Sequence, residues 1–147
     1  MAFPTLPVLD GFNRGNSATL GSDWTADIAG ASYVSLGITS NQAAYNGTNG
    51  FQSNWWNRQS FAQDQEVYAD IPTKGTTNVF RLYARLTAVG TTTYGGYELE
   101  ISGTTANSFL SNVVAGVRTT ILTTGVGFAS GDSAGLSCVG KIGRAHV

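Results

Sequence analysis

The stretch NVFRLYARLT, residues 78–87, alternates without a break: Phe80, Leu82, Ala84 and Leu86 fall on one side, Val79, Arg81, Tyr83, Arg85 and Thr87 on the other. A period of two over ten residues is the pattern of a strand with one buried face, not of a helix. After the Gly/Thr-rich AVGTTTYGG (88–96), the segment YELEIS (97–102) alternates again, Tyr97, Leu99 and Ile101 opposing Glu98, Glu100 and Ser102. Two alternating runs across a turn-rich loop predict an antiparallel hairpin with one face in a core.

Working outward, DWTADI, SYVSLGI, GFQSNWW, QEVYADI, NSFLSNVV, VRTTILTT and AGLSCV read as further short strands, and no helical stripe competes with them. Turn chemistry separates most of them, at Asn46-Gly47, Asn49-Gly50, Lys74-Gly75 and Gly131-Asp132. Many short strands at spacings of about 8–12 residues predict a sandwich or jelly roll. A chain of 147 residues suits one domain with its own core, and no internal repeat or linker divides it.

Charge narrows the function classes. With a net charge of −1 and no Lys/Arg run, the chain carries no nucleic-acid footprint. The opening MAFPTLPVL (1–9) lacks the basic start and apolar centre of a signal peptide, and no apolar run approaches the roughly 20 residues of a membrane span. Neither a signal peptide nor membrane insertion is expected. Cys138 is the single cysteine, which excludes an internal disulfide.

Nucleophilic and metal chemistry fare no better. His146 is the single histidine, and Cys138 sits in the apolar alternation LSCV as a small core residue. One Cys and one His cannot make a zinc site. Asp10, Asp23, Asp27 and Asp132 could offer oxygens to calcium, but no dense Asp/Asn loop is present, so no metal and no cofactor is expected.

The segment LDGFNRGNSATLGSDWT (9–25) resembles the opening of the concanavalin A-like (laminin-G-like) jelly rolls, where Asp-x-Phe-x-Arg, a polar stretch and Leu-Gly-x-x-Trp begin the first strands. The matching positions are Asp10, Phe12, Arg14, Leu20, Gly21 and Trp24. QEVYADI, FRLYARL and GYELEIS are similar to successive strands of that family, and GDSAGLSCVG to a later one, so the resemblance spans residues 8–140. It implies an all-β, antiparallel jelly-roll β-sandwich. It also implies a setting in phage virion proteins or bacterial surface and secreted proteins, hence a virion or extracellular location. Where the family continues with further strands, this chain reads KIGRAHV (141–147), which resembles translated adapter tails on metagenomic reading frames. The expectation is a concanavalin A-like domain over 1–140, incomplete at its end, with 141–147 a non-native tail; the alternative is a genuine short C-terminal tail on a compact variant.

The family includes glucanases, whose Glu-x-Asp-x-(x)-Glu motif supplies nucleophile, helper and acid. GYELEISG offers Glu98 and Glu100, but Ser102 and Gly103 stand where the third acid belongs, so catalysis is not expected. Hairpin closure over 88–95 would bring Arg85 near Glu98, and Arg81 or Tyr83 near Glu100. The result is either a ladder of opposite charges or a concave face whose arginines and carboxylates bind sugar hydroxyls. Trp55 and Trp56 should lie on opposite faces of their strand, so one indole is exposed or covers a sheet edge. Beside Asn54, Asn57 and Arg58 it would either stack on a pyranose or pack against a neighbouring loop or a virion partner, whereas Trp24 should be core. The candidate ligand-binding set is therefore Trp55, Trp56, Asn57, Arg58, Arg81, Tyr83, Arg85, Glu98 and Glu100. The function expected is non-catalytic carbohydrate binding or surface display, plausibly on a phage tail or virion, with a glycan or other virion subunits as partners. The alternatives are a purely structural packing module of a larger assembly and a remnant of a glycoside hydrolase.

Overall fold

The computed structural model describes residues 7–30, 33–45, 52–72, 79–102 and 107–140, and the backbone of 142–146. The turns expected at Asn46-Gly47, Asn49-Gly50 and Lys74-Gly75 lie outside these residues. Every described element is a strand, and every named strand pairing is antiparallel. The strands are β1 (Trp24–Ala26), β2 (Gly37–Thr39), β3 (Gln42–Ala44), β4 (Asn54–Trp56), β5 (Gln65–Ile71), β6 (Val79–Thr87), β7 (Gly95–Ser102), β8 (Ser108–Val114), β9 (Val117–Thr124), β10 (Asp132–Val139) and β11 (Ile142–His146).

The chain gathers into two compact units. The larger holds residues 61–87 and 95–147; the smaller holds 7–60 with 88–94. In the larger unit a four-stranded sheet runs in the order β6-β7-β8-β9, and a three-stranded sheet in the order β11-β10-β5. Residues 142–146, expected as a tail, extend the second sheet, with Val139 opposite Ile142 and Gly135 opposite His146.

The two sheets share one core. Leu82, Ala84, Leu99, Ile101 and Leu110 from the first sheet meet Ile71, Ala134, Leu136 and Cys138 from the second, with Phe128 between the strands in sequence. This is the sandwich solution for two sheets with one apolar face each. Leu99 is 1 % and Leu136 0 % exposed, each burial stabilising the fold by about 1.5–3 kcal/mol. Cys138 lies in this core as the alternation implied, and burial raises its thiol pKa against an opposing pull from Arg85. With the odd-numbered residues of β7 committed inward, Glu98, Glu100 and Ser102 take the opposite face.

The β6–β7 pairing is regular from Val79↔Ser102 to Ala84↔Tyr97, then breaks at a bulge before Thr87↔Gly95. Arg85 sits at φ 54° there, and Gly96 at φ 148°. A Cβ on Gly96 would lie 2.8 Å from the Ala84 carbonyl oxygen, so the bulge requires glycine at this position.

In the smaller unit β1 pairs with β4 and β2 with β3, joined by bridges Ser17↔Ile38 and Val34↔Gln52. Its buried apolar residues include Leu20, Ile28, Ala29 and Ile38. The opening motif closes on Asp10. The Phe12 backbone N–H and Arg14 Nη1 donate to Oδ1 at 2.8 Å each, while Arg14 Nη2 at 3.0 Å and Trp24 Nε1 at 2.8 Å donate to Oδ2. Arg14 also donates to the Leu20 carbonyl. Phe12 tilts against Trp24 at 5.8 Å, and Trp24 meets Trp56 edge-on at 5.3 Å. The six residues that carry the family resemblance thus build a structural knot.

Candidate functional site

The outer face of the four-stranded sheet gathers charge that the strand register makes unavoidable. Arg81 lies opposite Glu100 and Tyr83 opposite Glu98 across β6–β7; Ser111 lies opposite Glu98 and Phe109 opposite Glu100 across β7–β8. β9 adds Thr120 opposite Ser111 and Arg118 opposite Val113. Arg118 reaches along the sheet to both acids. Its Nη2 donates to Glu98 Oε2 and its Nη1 to Glu100 Oε2, both at 3.0 Å. Its Nε lies 2.8 Å from Glu98 Oε1 without aiming a hydrogen there, and Oε1 accepts no aligned hydrogen bond.

Arg81 closes the cluster from the other side. Its Nε and Nη2 approach Glu100 Oε2 at 2.9 and 2.8 Å, and its Nε lies 3.5 Å from Glu98 Oε1. Burial is the largest influence on Arg81 and pulls its pKa down. The hydrogen bond to Glu100 and the charges of Glu98, Tyr83 and Glu100 outweigh it, so the guanidinium is held above its ordinary value. The Glu98 side chain is 0 % exposed, against 15 % for Glu100, 22 % for Arg81 and 38 % for Arg118. Taking a carboxylate wholly out of water costs several kcal/mol, which here two guanidinium groups offset. Glu98 therefore acts on its surroundings by positioning Arg81 and Arg118. Glu100 and Arg118 reach the surface, where with Phe109, Ser111 and Thr120 they line an open hollow of about 200 Å³. The Ser111 hydroxyl is fully buried and has no hydrogen-bond partner.

The expected site residues separate into two groups. Arg81, Tyr83, Glu98 and Glu100 come together on this face. Arg85 does not join them: the bulge turns it away from the ladder. Its N–H donates to Gln65 Oε1 at 2.7 Å, its Nε to the Gln63 carbonyl at 2.7 Å and its Nη2 to the Gly140 carbonyl, with Asp64 3.7 Å off. Arg85 ties the ends of β5 and β10 instead. Ser102 follows Glu100 on the charged face, and the described residues of that face hold no third carboxylate.

Trp55, Trp56, Asn57 and Arg58 belong to the smaller unit. Neither indole is left exposed: both rings are half-buried, and both ring N–H groups are enclosed without a partner. The reason is the β1–β4 pairing, which sets Trp56 against Trp24 and Trp55 against Thr25. Asn57 Nδ2 donates to the Ser22 carbonyl and to Thr25 Oγ1, and Arg58 Nη1 to both Asp23 oxygens at 3.3 Å. These polar groups pin the turn that precedes β1. A hollow of about 350 Å³ beside Trp56 is lined by Leu9, Asp10, Arg14, Leu20, Gly21, Ser22 and Asp23, but Asp10 already accepts four hydrogen bonds and Asp23 holds Arg58. Among the described residues no group of three metal-ligating side chains forms.

Arg118, Phe109, Ser111 and Thr120 were not anticipated. Arg118 carried one usable signal: it is the lone charged residue between Glu100 and Asp132. Searches against family models, curated proteins and solved structures return no match for this chain.

Proposed function

We propose that this chain is a non-catalytic carbohydrate-binding module whose ligand seats in the hollow over β7, β8 and β9. The observation that carries this reading is the lining itself: one half-buried aromatic ring, Phe109, beside a carboxylate, a guanidinium and two hydroxyls. An apolar ring face with a few oriented polar groups is the usual make-up of a small-ligand site. Glu98 supports it from beneath by holding Arg118. A glycosidase would need two carboxylates flanking the scissile bond. Here Glu98 is sealed from solvent, and the third acid of the glucanase motif is replaced by Ser102.

The finer fold, a concanavalin A-like jelly roll, is part of the same proposal. Its support is the family-like opening motif and the order of resembling strands, together with two antiparallel sheets around one core. A place on a phage tail or virion rests on that resemblance alone.

The test is a glycan panel read by saturable binding. Phe109→Ala abolishes binding in this reading while far-UV circular dichroism stays that of the folded chain; a panel with no saturable ligand refutes it. Release of reducing sugar by the wild type would favour the hydrolase instead. A structural packing role is the second reading, favoured by the exposed apolar residues along β9 and its flanks, Val114, Val117, Ile121, Leu122 and Val126. It requires self-association in sedimentation that Val117→Lys removes.

A further inference from the structure

Resting on that reading, we infer that the hollow takes a single neutral, hydroxyl-rich sugar ring and rejects glycans that carry a carboxylate. The charges on this face cancel: Arg81 and Arg118 stand against Glu98 and Glu100, with contacts of 2.8–3.5 Å. All three nitrogens of Arg118 lie within 3.0 Å of carboxylate oxygens, Nη1 and Nη2 as hydrogen-bond donors and Nε in charge contact. Among the described residues of this face an incoming anion therefore finds no unneutralised cation.

What the hollow does offer is acceptors. Glu100 Oε2 takes Arg81 Nε, Arg81 Nη2 and Arg118 Nη1, so Oε1 accepts from neither arginine. A sugar hydroxyl can donate to that oxygen, whereas a uronate carboxylate would meet it as a like charge. The second, independent observation is Ser111. Ser111 lines the hollow, and its hydroxyl is 0 % exposed and has no partner. A buried hydroxyl without a partner is uncommon and costly, and a ligand hydroxyl, donor and acceptor at once, would complete it once the exposed Thr120 and Arg118 side chains beside it give way. Thr120 adds a second hydroxyl at the exposed side. The hollow seats one ring: about 200 Å³ falls below the roughly 300 Å³ at which drug-sized pockets begin, and further rings of a longer glycan would lie outside it.

The experiment titrates the full chain with the methyl glycosides of glucose, galactose and mannose and with their uronate counterparts, followed by NMR. At least one neutral member should bind about ten-fold or more tightly than its uronate. Ser111→Ala should weaken that neutral ligand by about three- to ten-fold with the circular dichroism unchanged. Glu100→Gln should raise the relative affinity of the uronate. Where Glu100→Gln does not fold, the Ser111 variant and the wild-type pairs still decide. Uronates that bind as tightly as the neutral sugars overturn the selectivity while leaving carbohydrate binding intact. An affinity indifferent to Ser111→Ala overturns the placement of the ligand. No binding of either class overturns both this inference and the function it rests on.

Discussion

Replacing Asp10 by Asn removes one charge and leaves the shape of the side chain almost unchanged, which isolates what the carboxylate does. Four donors converge on its two oxygens: the Phe12 N–H, two nitrogens of Arg14 and Trp24 Nε1. Asn keeps one acceptor and turns the other into a donor, so two of the four lose their partner. The Arg14 hydrogen bond is the largest cause of the Asp10 pKa falling from 3.8 to about 2; burial opposes it, and the Trp24 and Phe12 bonds add to it. That lowering corresponds to about 2 kcal/mol before screening and about 1 kcal/mol after it, because Arg14 is 41 % exposed. The Asn amide nitrogen then faces a donor on Trp24 or Phe12, a mismatch that goes beyond the lost charge and adds about 1 kcal/mol. The expected loss is therefore about 2 kcal/mol at neutral pH, or roughly 6 °C in Tm for a chain of this size. Urea unfolding followed by tryptophan fluorescence measures it. A depressed carboxyl pKa gives stability that is complete above 3.8 and lost as pH falls through 2. The gap between wild type and Asp10→Asn should thus be full at pH 6 and shrink between pH 4 and pH 2. A gap equal at pH 6 and pH 2, or no gap, would refute the ionic account of this knot.

Gly96→Ala should cost about 2 kcal/mol or more, since its Cβ would sit 2.8 Å from the Ala84 oxygen at φ 148°; a thermal melt within 2 °C of wild type would contradict the bulge geometry. The Cys138 thiol, 0 % exposed and with its pKa raised by burial, should react with a thiol reagent only as fast as the core opens. Fast labelling in the absence of denaturant would place that strand outside the core. Trp56→Ala should lower stability by about 2 kcal/mol through loss of a half-buried ring and its edge contact with Trp24, while leaving saturable glycan binding in the folded fraction.

The hairpin of β6 and β7 was legible because alternation alone sorts Leu82, Leu99 and Ile101 from Arg81, Glu98 and Glu100. β5 coincides with the segment QEVYADI for the same reason, whereas β9 coincides with VRTTILTT because its Val, Thr and Ile favour a strand without sorting its faces. β3 and β11 were missed: three residues carry too little pattern, and Ile-Gly-Arg-Ala-His is not an apolar alternation. The packing of the β6–β7 loop on residues 28–30 was not legible either. Gly90 N–H in that loop donates to the Ile28 carbonyl, and the loop backbone lies 2.6 Å from where a Cβ on Gly30 would stand. Such a contact between residues 60 apart leaves no mark on local composition.

The site itself was half legible, and the missing half shows why. Pairing Glu98 and Glu100 with a cation needs only the hairpin register, but choosing the cation needs the bulge. Counting back from the loop places Arg85 beside Glu98; the extra residue between Ala84 and Thr87 moves Tyr83 there and sends Arg85 to Gln63 and Gln65. Arg118 is harder still, because a second bulge between Leu110 and Ser111 resets β9 against β8. Without it, the face on which Arg118 falls cannot be read from VRTTILTT. Period-two patterns assign a face within a strand, whereas bulges decide which residues from different strands meet. A functional cluster drawn from β6, β7, β8 and β9 depends on both. The acids could be named from sequence because they lie on one strand, and the arginine that completes the hollow could not because two irregular pairings stand between it and them.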